Sequence, residues 1–186
     1  MNNQPYEESR LIFQFNDDWT DIIEFDKDIE IRKCSHLASL IDFIGVFQND
    51  NLWLIEVKNA SGYMTENWEK LKGSDPILAK TIAVNMKDAL ALIVGRGHTS
   101  ANNKAYWERI SKMLTHNTKP INVLLWLEMD SLPRPQLNII LSTMRNQLSR
   151  KLNWLTPNVF IWDIHTLENS DQLKTLNDFL VVKKKI

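Results

Sequence analysis

Three charged residues interrupt two apolar runs that would otherwise read as buried strands. Asp42 lies in the run Leu40–Phe47, and Glu56 and Lys58 lie in Leu52–Asn59. An ionised carboxylate among apolar strand residues is costly unless it is paired or holds a cation. Strand alternation places Leu54, Glu56 and Lys58 on one face and Trp53, Ile55 and Val57 on the other. Two carboxylates converging beside an ammonium on a rigid sheet make an all-oxygen site. Mg²⁺ or Mn²⁺ suits such donors, because these ions keep several waters and take one or two carboxylates. The ion would polarise a phosphate oxygen and acidify a bound water. Lys58 would orient or help deprotonate that water and offset charge growing on phosphorus. The Val57 carbonyl, between Glu56 and Lys58, is a further candidate ligand.

The elements that must position these groups form a hairpin around the polar break Gln48-Asn49-Asp50-Asn51. Asp42 shares a face with Glu56 only if the loop has an odd number of residues. With Asn49–Asn51 as the loop, Gln48 faces Leu52, Ile44 faces Glu56 and Asp42 faces Lys58. A two-residue Asn49-Asp50 loop pairs Asp42 with Val57 and throws it to the opposite face.

The rest of the chain reads as one α/β domain, a central mixed β-sheet flanked by helices. Leu11–Phe15 predicts a short strand, and Trp19–Phe25 fits either its hairpin partner or the start of a helix. Asp26–Leu40 reads as partly helical, and Asn67–Lys72 as a short helical piece. Ser74-Asp75-Pro76 opens a helix that carries Leu78, Ile82, Met86, Ala89 and Ile93 on one face and stops at Gly95. Ala101–His116 gives a second helix and Pro135–Leu152 a third. Ile121–Leu127 is a continuous apolar run, the pattern of a buried inner strand, and Asn158–Trp162 reads as another buried strand. A short helix from Ser170 and a basic Lys183-Lys184-Lys185 tail follow.

At 186 residues the chain suffices for one well-filled core. Its 44% hydrophobic and 24% charged content is that of a globular protein. The single cysteine, Cys34, excludes an internal disulfide and is expected in the core. No apolar signal segment or membrane-length run is present, so the expectation is a cytoplasmic protein with no membrane partner. Residues 1–30 carry −7 and residues 31–186 carry +6, so a polyanion could lie on one face of a nearly neutral chain.

Asp42, a short hairpin and then Glu56-Val57-Lys58 resemble the core of the PD-(D/E)xK nuclease superfamily, with its restriction-endonuclease-like fold. Ile41 stands where that pattern has proline. The resemblance covers about residues 19–128 and leaves 129–186 as a C-terminal helix–strand–helix extension. It implies a Mg²⁺- or Mn²⁺-dependent phosphodiesterase, endo- or exonucleolytic, with Asp42 and Glu56 as metal ligands and Lys58 as the catalytic lysine. DNA rather than RNA is the implied substrate, as part of a bacterial defence or repair system. Cutting both strands would require a homodimer or a protein partner. Family members commonly add an acid from the first helix. Glu24, Asp26 and Glu30 are the candidates here, and Asp26 is chosen, sharing a helix face with Glu30. Lys80 and Lys87, on one stripe of the next helix, could touch phosphate, although a solvated face is the preferred reading.

Two rival readings accompany the nuclease. In one, Glu56 and Lys58 lie on a solvated edge and merely pair with Asp42 across strands. In the other, the fold is kept but the site is idle, and the protein is a binding or assembly module. His36, His98, His116 and His165 lack ligand spacing. Gly95–His98 is too short to cradle a phosphate, and Trp53, Trp126 and Trp162 are expected in the core.

Overall fold

The runs Ile121–Leu127 and Asn158–Trp162 are apolar on both faces because both faces are covered, although the second lies at the edge of its sheet. The computed structural model describes residues 5–34, 40–61, 70–71, 73–99, 102–115, 120–129, 132–169 and 180–184. The elements are β1 (Tyr6–Glu8), β2 (Leu11–Phe15), β3 (Trp19–Glu24), α1 (Ile29–Cys34), β4 (Phe43–Phe47) and β5 (Asn51–Asn59). They continue with α2 (Ile77–Thr99), α3 (Lys104–Thr115), β6 (Ile121–Glu128), α4 (Arg134–Leu152), β7 (Val159–Trp162), α5 (Ile164–Asn169) and β8 (Leu180–Lys184). A mixed five-stranded sheet has the order β3-β4-β5-β6-β7. β3, β4 and β5 run antiparallel, whereas β5, β6 and β7 are parallel.

On one face, Ile44, Val46, Leu54, Leu125 and Leu127 pack against the buried stripes of α2, α3 and α4. On the other, Phe43, Trp53, Ile55, Val57 and Trp126 pack against Leu11, Phe13, Phe15, Leu180 and Val182. The latter come from a second sheet of order β1-β2-β8. α2, α3 and α4 therefore gather on one side, and a small sheet of β1, β2 and β8 closes the other. β7 joins the main sheet on β6, and the buried side chains of α4 and β7 belong to the same core as α2 and α3.

Four sequence expectations change. Trp19–Glu24 is a strand, but it pairs with β4 rather than β2. Its ladder shifts between Thr20 and Ile23, where Asp21 takes a positive φ of 56° and is held by Arg109. Lys183 and Lys184 belong to β8, because Leu180 and Val182 are buried against β2. α2 runs through Gly95 to Thr99. A Cβ on Gly97 would lie 2.7 Å from the Ser111 Cβ, so this glycine lets α2 and α3 approach closely. α5 was not foreseen; Asp163 caps it, accepting the Thr166 N–H at 2.6 Å.

Trp53, Trp126 and Trp162 are buried as expected. The Cys34 side chain, His36, His116, the helix expected from Ser170, Lys185 and most of Asn67–Lys72 lie outside the described residues. Among the described residues, no helix is long and apolar enough to cross a membrane.

Candidate functional site

The hairpin loop is Gln48–Asp50, three residues, with Phe47 opposite Asn51 and Ile44 opposite Leu54. Its length is odd, but it begins one residue earlier than Asn49. Each partner on β5 is consequently displaced by two positions, which keeps every side chain on its face. β5 is an inner strand and Glu56 is fully buried, which rules out the solvated-edge reading.

Asp42 stands just before β4, where the ladder is completed by a side chain. Its amide donates to the Ile55 carbonyl at 3.1 Å, and its Oδ2 accepts the Val57 N–H at 2.6 Å. The N–H and C=O of a strand residue point to the same flank, so the Val57 carbonyl also opens on the Asp42 side. The Asp42 carbonyl accepts the Phe25 N–H at 2.8 Å, which brings the following residue, Asp26, alongside. β1 delivers Glu8. Carboxylate oxygens of Glu8, Asp26 and Asp42 all lie within 4.8 Å of one another.

Glu56 lies behind this cluster on the helix face. Its Oε1 accepts from Lys58 Nζ at 2.6 Å and from Asn85 Nδ2, on α2, at 3.3 Å. Its Oε2 and the Asp26 Oδ1 are buried with no hydrogen-bond partner among the described residues. Lys27 approaches from the other side, donating to Glu24 at 2.7 Å and pairing with Glu8 at 3.1 Å. Four carboxylates thus face two ammonium groups.

Electrostatics follow from burial and crowding. Desolvation first, then the Glu56 charge, push the Asp42 carboxyl up to about 8, against the pull of the Val57 N–H and Lys58. Asp26 is raised by burial and then by Glu8. Burial likewise raises Glu56, although Lys58 and Asn85 oppose it. Burial alone would lower Lys58, but Glu56, with Asp42 and Glu8 beyond it, leaves the ammonium raised and firmly charged. The arrangement concentrates negative charge and unsatisfied hard oxygen donors that a divalent cation could relieve.

Of the residues singled out in the sequence, Asp42, Glu56, Lys58 and Asp26 come together, with Val57 between them. Asp26 sits in the turn before α1 and not on its face; Asp28 caps that helix through the Glu30 and Ile31 N–H groups. Glu24 is paired with Lys27. Glu30 is held by Arg96 and by Asn102 at 2.7 Å, away from the cluster. Lys80 and Lys87 are exposed, about 140° and 160° around α2 from Asn85, and are not brought to the acids. Sequence reasoning missed Glu8. Its strand is three residues long, too short to show a period; the only signal was the Ser9-Arg10 break before Leu11–Phe15.

Compared with known proteins, the chain matches no protein-family model, no curated protein and no solved structure.

Proposed function

We propose that this protein is a divalent-cation-dependent phosphodiesterase acting on nucleic acid, with a restriction-endonuclease-like core. The observation that carries the reading is the convergence of Asp42, Asp26 and Glu8 beside the buried Glu56–Lys58 pair. Asp42, Asp26 and Glu8 would hold Mg²⁺ or Mn²⁺, with the unpartnered Oε2 of Glu56 and the Val57 carbonyl as further donors. The bound ion would supply Lewis-acid polarisation of the phosphate and a water of lowered pKa. Glu56, itself steadied by Asn85, fixes the Lys58 ammonium, whose side chain is 40% exposed and so reaches the open side of the cluster. From there Lys58 orients the attacking water and offsets charge on the phosphoryl oxygens. DNA as the substrate, and a role in defence or repair, follow from the motif's resemblance alone.

Metal-dependent cleavage of a labelled DNA tests this. Glu56→Gln and Lys58→Met should each lower the rate by at least about 100-fold while leaving the circular dichroism spectrum unchanged. Undiminished cleavage by both variants would reject the assignment.

A second reading has its own observation. Asp42 completes the ladder at Val57 and Lys58 neutralises Glu56, so each group also has structural work in an idle, partner-binding fold. Calorimetric titration with Mn²⁺ separates the two. Heat that disappears in Asp42→Asn supports the enzyme, and no heat from the intact protein supports the module.

A further inference from the structure

The basic surplus of residues 31–186 has a focus away from the acids. α4 carries Arg134, Arg145, Arg150 and Lys151 and no acidic residue in its 19 positions. Between its last turn and the start of α2 lies a cavity of about 390 Å³ lined by Ser74, Asp75, Gln147, Arg150 and Lys151. Lys151 Nζ contacts Asp75 at 2.6 Å, and Gln147 donates to the Ser74 carbonyl. Asp75 is held below the usual carboxylate range by that Lys151 hydrogen bond and by the further charges of Arg150 and Lys80. Three cations therefore surround one carboxylate. Only Lys151 is ion-paired to it; Lys80 and Arg150 are exposed and form no ion pair among the described residues.

Four residues beyond Arg150, in the turn that follows α4, stands Trp154. Its Nε1 donates to the Lys151 carbonyl at 3.0 Å, which fixes the indole at the end of α4, yet the residue is 56% exposed. An anchored, exposed ring next to unpaired cations matches the alternation of bases and phosphates in a nucleic-acid strand. The patch lies at the Ile121 end of β6, tied there by the Thr156 hydroxyl, which donates to the Ile121 carbonyl at 2.6 Å. Glu56 sits level with Leu125, about 13 Å farther along the strand.

We propose that this cleft and the surface around it are a docking point for single-stranded nucleic acid, with Lys80 and Arg150 taking phosphates and Trp154, at the end of α4, stacking a base. The inference rests on the nucleic-acid reading of the acid site but requires no cation there. It assigns Lys80 a role remote from the acids. The flat ring favours a single strand, whose bases are free to stack, over a duplex, whose bases are not.

The test is fluorescence anisotropy of a labelled single-stranded DNA of about 20 nucleotides, titrated in EDTA across a range of salt. In the Lys80→Ala/Arg150→Ala double variant, the proposal expects affinity to fall about tenfold or more, with a shallower salt slope. Trp154→Ala should weaken binding about fivefold or more. All three positions are exposed, so these variants retain the fold. Unchanged affinity and slope in the double variant, or no binding by the intact protein, would overturn the proposal. So would a duplex that competes equally well, or a polyglutamate that competes equally well and is indifferent to Trp154→Ala. Because EDTA removes any cation, these outcomes are independent of the Mn²⁺ titration that tests the acid site.

Discussion

Asp42 combines two demands in one carboxylate. It completes the sheet at the Val57 N–H and shares a confined space with Asp26, Glu8 and Glu56. The first demand favours the ionised form and the second the protonated one; the raised pKa shows that burial and like charge prevail. A carboxyl whose pKa is higher folded than unfolded binds more protons in the folded state. Its contribution to stability is therefore lost as pH rises from the unfolded value of 3.8 to about 8. In EDTA, the melting temperature of the intact protein should fall relative to Asp42→Asn as pH is raised through that window. A divalent cation competes for the same oxygens as the proton, so the rise in melting temperature caused by Mn²⁺ should grow over the same interval. Thermal melts with and without Mn²⁺ at several pH values check both signs. A difference between the two proteins that does not change with pH would show that Asp42 does not titrate there.

At the scale of elements, the β3–β4–β5 meander sets the acid geometry, and Gly45 is its tightest point. A Cβ there would lie 2.1 Å from Ile22 Cδ1 and 2.9 Å from the Trp19 ring. Gly45→Ala should cost about 1–3 kcal/mol by chemical denaturation. Ile22→Ala in the same chain should recover part of that loss, a non-additivity that a double-mutant cycle reads directly. The shared face of Glu56 and Lys58 was legible in the sequence from alternation, whereas that of Asp42 hung on the parity of the loop, which the sequence left open. β6 and β7 were legible as continuous apolar runs between breaks, and α4 because its apolar residues recur over enough positions to show a helical period. β1 and β8 were not. Lys183 and Lys184 are exposed at the end of a strand whose burial depends on β2, a contact no local pattern encodes. The same holds for Gly95, inside a helix secured by packing of α2 on α3, and for Glu8, whose approach to Asp42 is a purely tertiary fact.

Across the whole molecule, Glu8 depends on the small sheet for its position. Among the described residues β1 pairs only with β2, over Tyr6–Glu8, and β2 is supported on its other side by β8. The turn between β1 and β2 places Ser9 and Arg10 at φ of 53° and 64°, a left-handed pair more comfortable for asparagine and glycine. External bonds hold it: Asn59 Nδ2 donates to the Ser9 carbonyl at 2.8 Å, and Lys27 Nζ to the Glu7 carbonyl at 2.9 Å. Beneath, Tyr6 rests edge-on against Phe15 and Phe43. Loosening β8 should therefore reach the acid cluster through β2 and β1, although no residue of β8 belongs to the cluster. Val182, buried opposite Phe13, is the place to do it. Val182→Ala should cost about 2 kcal/mol of stability and accelerate amide exchange in β2. It should also weaken Mn²⁺ binding, by less than the roughly tenfold loss expected for Glu8→Gln. Calorimetry on the two variants decides the matter. If Glu8→Gln binds Mn²⁺ as tightly as the intact protein, Glu8 is no ligand; if Val182→Ala alone leaves binding unchanged, the small sheet does not govern Glu8.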